Sequence, residues 1–255
     1  DTPDARFSNS FEITGTTGGS SGYGICSQRI ESKNILQALG QTCTLSAYVK
    51  NTGTSTVNVS VEVYRANSTD NFSGLTLLTS LTGQAITTSW SRITFPSFTV
   101  TDACATGLEV RIFRYDASNN QEWLLTGVQL EVGSSASDFE FLPVDVNKRR
   151  CLRYFFELGV SDSMLCNTGI AFSGSELNTN TSYPEEMRAT PTLTFFDNSG
   201  NSARIHRNQV GDHSNAVSAV NQNNKKLATI GSTSLGSGGG YAFRLKGDAE
   251  LWLHQ

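Results

Sequence analysis

Valine stands at positions 57, 59, 61 and 63, and Asn58, Ser60, Glu62 and Tyr64 fill the places between and after them. Strict alternation puts β-branched side chains on one face of an extended chain and polar ones on the other, so this stretch predicts a half-buried β-strand. Shorter runs of the same kind occur at 44–49, 90–95, Leu108–Tyr115 and Trp123–Val132. Thr-Gly, Asn-Ser, Ser-Gly and Asn-Asn stretches separate them and read as turns. Beyond residue 150 the strand-like segments are 151–158, 164–172, Thr192–Phe196, 241–246 and 249–253, with loop signals at 221–224 and 236–240. No amphipathic helical repeat of useful length interrupts the pattern. Many short strands at this spacing predict an all-β chain of the sandwich or jelly-roll kind.

The last two segments allow a test of register. A two-residue turn at Gly247-Asp248 would mix charge with apolar residues on both faces. A three-residue loop, Lys246-Gly247-Asp248, pairs Leu245 with Ala249, Phe243 with Leu251 and Tyr241 with Leu253. One face is then wholly apolar, and Arg244 meets Glu250 on the other. This predicts a terminal hairpin with Trp252 turned outward beside Ala242, where an indole needs a cover: a partner subunit, another sheet or a sugar ring. Trp90 and Trp123 lie within apolar runs and are expected in the core.

At 255 residues the chain is long enough for one large β domain or two ordinary ones. The charge balance favours two. Up to residue 147 there are 8 basic and 14 acidic residues; from Lys148 onward there are 11 and 9. The run Lys148-Arg149-Arg150 marks the seam, giving expected domains at 1–147 and 148–255. That run is too short for a nucleic-acid patch, and a net charge of -4 argues against a general nucleic-acid binder. No apolar run approaches the roughly 20 residues that cross a bilayer. Asp1-Thr2-Pro3-Asp4 lacks a signal peptide's basic and apolar segments, and no initiating Met is present. The five cysteines, Cys26, Cys43, Cys104, Cys151 and Cys166, show no close pairing. Free, mostly buried thiols in a protein folded in a reducing cytoplasm are expected.

The candidate catalytic groups do not assemble into a site. Gly18-Gly19-Ser20-Ser21-Gly22 matches the form of a nucleophile elbow but sits in a low-complexity run without the strand and helix that the elbow needs. The run 236–240 has no following Lys-Ser/Thr, so a phosphate loop is not supported. Glu185 and Glu186 are adjacent and would face opposite ways on a strand, which a glycosidase pair cannot do. His206 and His213 have a poor spacing for metal ligands and are expected at the surface. Asn58, Asn67, Asn71 and Asn180 begin Asn-x-Ser/Thr sequons, as chance supplies in so Asn-, Ser- and Thr-rich a chain. No catalytic group and no cofactor is expected; a structural Ca²⁺ is compatible with a jelly roll but no dense acidic cluster calls for it.

Several segments, taken in order, resemble a family of bacteriophage and prophage virion fibre proteins. They are Gln28-Arg29-Ile30-Glu31, Thr44-Leu45-Ser46-Ala47-Tyr48-Val49-Lys50, Thr126-Gly127-Val128-Gln129-Leu130-Glu131-Val132-Gly133 and Phe139-Glu140, then Cys151-Leu152-Arg153-Tyr154-Phe155, Tyr183-Pro184, Met187-Arg188-Ala189-Thr190-Pro191-Thr192 and Asp248-Ala249-Glu250-Leu251. The chain departs from the family in two ways. The strand that usually opens the jelly roll is missing before Asp1, so an ordered part of a longer fibre is expected, and Trp252-Leu253-His254-Gln255 extends past the terminal motif.

The resemblance implies an N-terminal jelly roll like a carbohydrate-binding module and a C-terminal antiparallel β-sandwich or knob. It further implies a non-enzymatic tail-fibre, tail-spike or head-fibre module, homotrimeric, made in the host cytoplasm and working in the virion. Its partners would be other virion proteins and bacterial surface polysaccharide, without nucleic acid or membrane insertion. Sugar would stack on aromatic faces and be held by Asn, Gln and Arg, with Trp252, Arg244, His254 and Tyr183 as candidates. Two alternatives stand beside this reading: a purely structural head-fibre, decoration or connector protein, and a carbohydrate-binding module of a secreted polysaccharide enzyme.

Overall fold

The computed structural model describes residues 1–13, 23–53, 56–115, 122–159, 165 and 167–249. The chain divides into two compact units, Asp1–Phe141 and Leu142–Gln255. It is all-β, with antiparallel sheets in both units.

In the first unit β1 (Phe11–Ile13), β2 (Tyr23–Ile30), β3 (Thr42–Asn51), β4 (Val57–Ser68), β5 (Asn71–Ile86), β6 (Ser91–Thr94), β7 (Phe98–Thr99), β8 (Leu108–Tyr115) and β9 (Trp123–Val132) form two sheets. One runs β1-β9-β3-β6, with β7 also on β3; the other runs β2-β8-β4-β5. A short helix, α1 (Ser32–Ile35), follows β2. The alternation read in the sequence decides which sides meet. Val59, Val61 and Val63 from one sheet and Leu45, Ala47 and Val49 from the other are fully buried in one core with Phe95, Ile112 and Trp123. Trp90, expected with Trp123 in the core, is only half-buried.

The outward side of the β3 sheet is itself covered. Thr44 and Ser46 point away from the core, yet each has at most 1% of its surface exposed. The segments on either side of the sandwich roof them. Phe7, Phe139 and Phe141 make an aromatic cluster over Tyr48, with ring centroids 4.8–5.4 Å apart. Gln129 receives the Glu140 amide on Oε1 at 2.8 Å, and Glu131 accepts Ser137 hydrogen bonds at 2.6 and 2.9 Å. Gly127, at φ +55, is required here: a Cβ would stand 2.8 Å from Phe7 and 2.9 Å from Tyr48.

The second unit opens with α2 (Val144–Leu152), in which no residue is buried. The periodicity reading missed this helix because none of its residues is buried and only Leu152, at its end, packs against the core. Lys148, expected to open the second domain, lies inside it. The strands that follow are β10 (Phe155–Leu158), β11 (Asn167–Ala171), β12 (Glu176–Ser182), β13 (Thr192–Phe196), β14 (His206–Arg207), β15 (Gly211–Asp212), β16 (Ser218–Gln222), β17 (Lys226–Gly231) and β18 (Gly240–Asp248). β18 is the hub. Its first half pairs with β11 and β14, its second half with β10 and β13, and β12, β17 and β16 continue the sheet from β11.

The expected turn at Lys246-Gly247-Asp248 is therefore corrected. The strand runs straight through these residues, with Gly247 opposite both Phe156 and Leu193. Gly247 is there because a Cβ would lie 2.2 Å from Cε1 of Phe156. Residues 250–253, the returning half of the expected hairpin, lie outside the described residues, as do Trp252 and His254. Three of the ordered motifs meet at the end of this strand. Phe155, Asp248 and Thr192 share one row of pairing, Arg188 donates its amide to the Arg153 carbonyl at 2.9 Å, and Ala249 donates to that of Tyr154 at 2.8 Å. These motifs build the fold of the second unit.

Candidate functional site

Of the four residues expected to bind ligand, Tyr183 and Arg244 lie among the described residues, and both are buried. Tyr183 is buried with its ring 5.0 Å from that of Phe156, and its hydroxyl donates to Gln222 Oε1 at 3.3 Å. Burial pushes its hydroxyl pKa up to about 12. Arg244 is buried too, its guanidinium carbon 5.1 Å from the centroid of the Phe196 ring. Neither presents a face to a sugar ring. Trp252 and His254 lie outside the described residues, as does the Gly18–Gly22 stretch.

The other groups weighed for chemistry have structural partners. Glu185 faces Arg149 at 3.7 Å and Glu186 faces Lys225 at 3.3 Å. The Lys225 bond and charge, against a small opposing effect of burial, hold the Glu186 carboxyl below its usual range. His206 and His213, expected at the surface, are both half-buried: His206 Nδ1 is 2.7 Å from Asp212 Oδ1, and His213 Nε2 is 3.2 Å from Ser232 Oγ. No group of three metal-ligating side chains occurs among the described residues. Cys43 and Cys104 are buried, Cys26 is half-buried and Cys151 is exposed, all as free thiols; burial pushes the first three thiols up in pKa.

What the fold does bring together is the outward face of the β2-β8-β4-β5 sheet. Because Val59, Val61 and Val63 point into the core, Ser60, Glu62 and Tyr64 must point out. The register sets them in three rows across the strands. Ile25, Phe113 and Ser60 form the first, Ser27, Arg111, Glu62 and Ser80 the second, and Arg29, Glu109, Tyr64 and Leu77 the third. Same-face rows are about 7 Å apart and strands about 4.8 Å apart, so the face measures roughly 13 by 14 Å.

Its polar centre is held firmly. Glu109 has no exposed surface although it points outward, because Arg29 and Arg111 close over it with Nε atoms 2.8 and 2.6 Å from its two carboxylate oxygens. The guanidinium of Arg111 lies 4.4 Å from the centroid of the Tyr64 ring, and that of Arg29 lies 5.3 Å from Phe72. Tyr64 donates its hydroxyl to Glu62 Oε2 at 2.5 Å. That bond, with burial and the Glu62 charge behind it, pushes the Tyr64 hydroxyl up in pKa against the pull of Arg111. At the edge, Ile25 and Leu77 are each 49% exposed, and Phe113 is half-buried between Ile25 and Ser60. Gly83 keeps the β5 side clear, since a Cβ there would stand 2.9 Å from Ser60 Oγ.

The arrangement suits recognition of hydroxyl-rich, ring-shaped ligands. Fixed guanidinium donors and carboxylate acceptors lie beside an aromatic ring and an exposed aliphatic rim. Sequence reasoning had one strand of it: the 57–64 alternation marked Glu62 and Tyr64 as an outer face. It could not add Arg29, Glu109 and Arg111, which lie about forty residues away on either side and join only through sheet pairing.

No family model matches the chain, and no curated protein matches it. Among solved structures it is similar to carbohydrate-binding modules. A CBM4 structure shares 15% identity over 50% of this chain and 82% of that one, with a TM-score of 0.33. The CBM22-1 xylan-binding domain of Paenibacillus barcinonensis Xyn10C shares 15% identity over 50% of this chain and 97% of that one, with a TM-score of 0.30. The CBM22-1–CBM22-2 tandem of the same protein covers 95% of this chain and 97% of its own at 11% identity and a TM-score of 0.30. TM-scores of this size carry no argument about the ligand.

Proposed function

We propose that this chain is a non-enzymatic glycan-binding module of a virion fibre, and that it holds glycan on the outward face of the β2-β8-β4-β5 sheet. One observation carries the reading: the other outward face of the sandwich is roofed by the chain itself, while this one carries a rigid set of Arg, Glu, Tyr and Phe side chains bordered by exposed Ile25 and Leu77. In this reading a sugar ring lies against Phe113, and Arg111, Glu62 and Ser60 bond its hydroxyls. The virion assignment rests on the ordered motifs and brings with it a homotrimer, attachment to bacterial surface polysaccharide and other virion proteins as neighbours.

Calorimetric titration with polysaccharide from candidate host bacteria tests the site. Arg111→Ala and Phe113→Ala are each expected to weaken binding at least tenfold while the protein stays folded by circular dichroism. Wild-type affinity in both variants would refute the assignment. Light scattering tests the fibre reading: a trimer supports it, and a monomer that still binds polysaccharide favours the module of a secreted enzyme.

A further inference from the structure

The second unit holds a charged side chain in an unusual seat. Arg207, on β14, lies across the loop that leads into β18. The place a Cβ would take on Gly236 is 2.2 Å from Nη2, 2.6 Å from Cζ and 3.0 Å from Nη1 of Arg207, and that of Gly239 is 3.3 Å from its Nε. Any side chain at Gly236 would displace the guanidinium, so the glycines make the seat. Tyr241, paired with Arg207 across the sheet, fixes the loop from beneath by accepting the Gly236 amide at 2.9 Å.

Seated in this way, Arg207 is half-buried, and among the described residues its guanidinium has neither a side-chain hydrogen bond nor an ion pair. The carboxylate nearest along the chain, Asp212, is opposite His206, whose side chain leaves the strand on the other face. Asp212 is already taken up by His206, Ser199 and the Asn198 amide. The groups that the structure places against Arg207 are uncharged: Gly236 and Gly239 at the guanidinium, and Tyr241 and Gly211 opposite it in the sheet. A partly desolvated cation with no counter-ion among the described residues is an unfilled place for an anion.

The loop also indicates which anion. Phosphate sites on glycine-rich loops work through free backbone N–H groups. Here three of those groups are spent: the Gly236 amide goes to Tyr241, that of Gly238 to the Ala171 carbonyl at 2.7 Å and that of Gly239 to the Gly236 carbonyl at 2.8 Å. With at most the Ser237 amide left on the loop, the main donor is one planar guanidinium, whose N–H bonds lie around its rim and match the two oxygens of a carboxylate.

We propose that Arg207 in its Gly236–Gly239 seat binds the carboxylate of an acidic sugar, so that the second unit reads uronic-acid-type residues. That the carboxylate belongs to a sugar rests on the glycan-binding reading above; that the site takes a carboxylate does not.

The test follows the Arg207 side-chain Nε–Hε resonance of the full chain in ¹H–¹⁵N spectra, assigned by its disappearance in Arg207→Lys. Galacturonate is expected to shift it saturably, and galactose and the methyl ester of galacturonate to leave it in place. Two variants, checked as folded, are followed through neighbouring amides: Arg207→Lys is expected to bind galacturonate at least fivefold more weakly, and Gly236→Ala at least tenfold. Equal shifts with galactose or the ester, or unchanged galacturonate affinity in Gly236→Ala, would overturn the proposal. An equal response to inorganic phosphate would overturn the carboxylate assignment. None of these outcomes involves Arg111 or Phe113, so failure here and failure of polysaccharide binding at the first unit are separately visible.

Discussion

Gly247 is a position where the strand and hairpin readings make opposite predictions. It lies in the half of β18 flanked on both sides, by β10 and β13. A Cβ on it would stand 2.2 Å from Cε1, 2.5 Å from Cζ and 3.0 Å from Cδ1 of Phe156, a ring with 1% of its surface exposed. Gly247 is not among the glycines with positive φ, so alanine meets no backbone strain and would by itself add up to about 1 kcal/mol of stability. Crowding reverses the sign. Overpacking a closed core costs about 1–3 kcal/mol, and a strand pinned on both edges cannot drift away, so Gly247→Ala should cost about 2–3 kcal/mol. For a unit of this size that is roughly 10 °C of Tm. Phe156→Leu removes Cε1 and Cζ, the two atoms in worst conflict. In that background Gly247→Ala should cost less than about 1 kcal/mol, a coupling of about 1–2 kcal/mol between the sites. Urea unfolding of the four proteins, followed by circular dichroism, measures the cycle. An equal cost in both backgrounds would refute the packing argument. It would also restore the turn, since a glycine needed for its own φ gains nothing from a smaller neighbour.

Three further outcomes follow from the same geometry. Glu109→Gln removes the carboxylate between two guanidinium groups that are themselves partly wet, with side chains 17% and 31% exposed. The first unit should lose about 1–3 kcal/mol in urea unfolding and polysaccharide affinity should fall with it, because Arg111 loses its anchor. Tyr183 keeps its proton up to about pH 12 when folded and releases it near 10 when unfolded. Its contribution is therefore complete below pH 10 and lost as the pH rises towards 12; Tyr183→Phe should flatten the wild-type decline in Tm over that window. At Asp212 burial raises the carboxyl, but bonds from Ser199, His206 and the Asn198 amide outweigh it and hold the pKa below its usual value. Its contribution is present above about pH 4 and lost as the pH falls through the folded value, so Asp212→Asn should lose Tm at neutral pH and show a shallower acid decline.

The strands that were legible in the sequence are those with one wet and one dry side. Leu108–Tyr115, Trp123–Val132 and Thr192–Phe196 have the ends that the pattern predicted. β12 escaped because its inward residues are Leu177, Thr179 and Thr181, and two hydroxyls bonded to each other at 2.9 Å do not register as an apolar face. β18 was misread for the opposite reason. Residues 241–245 are all buried, so the strand has no polar side to set its phase, and the glycine that ends an apolar run in most sequences here continues it. The burial of two candidate binding residues was hidden for a related reason, because Arg244 and Tyr183 are polar side chains that the fold places inside.

The candidate site in the first unit follows from an asymmetry that neither sheet shows alone. A two-sheet sandwich has two outward faces, and this chain spends its N-terminal residues and the segment after β9 on covering one of them. The cover is specific: Gly127 makes room for Phe7, Gln129 and Glu131 fix Ser137 and Glu140, and Phe139 and Phe141 close on Phe7. The opposite face has no such roof among the described residues, yet it is not an ordinary wet surface. An ordinary one would carry separate solvated charges, and here Glu109 is wholly enclosed by two arginines that are themselves stacked on aromatic rings. Desolvating three charges for stability alone is a poor exchange, since apolar residues of similar volume would serve as well or better. Holding guanidinium and carboxylate groups at fixed positions before a ligand arrives is a use that does repay it, because the ordering cost is then met in folding and not in binding.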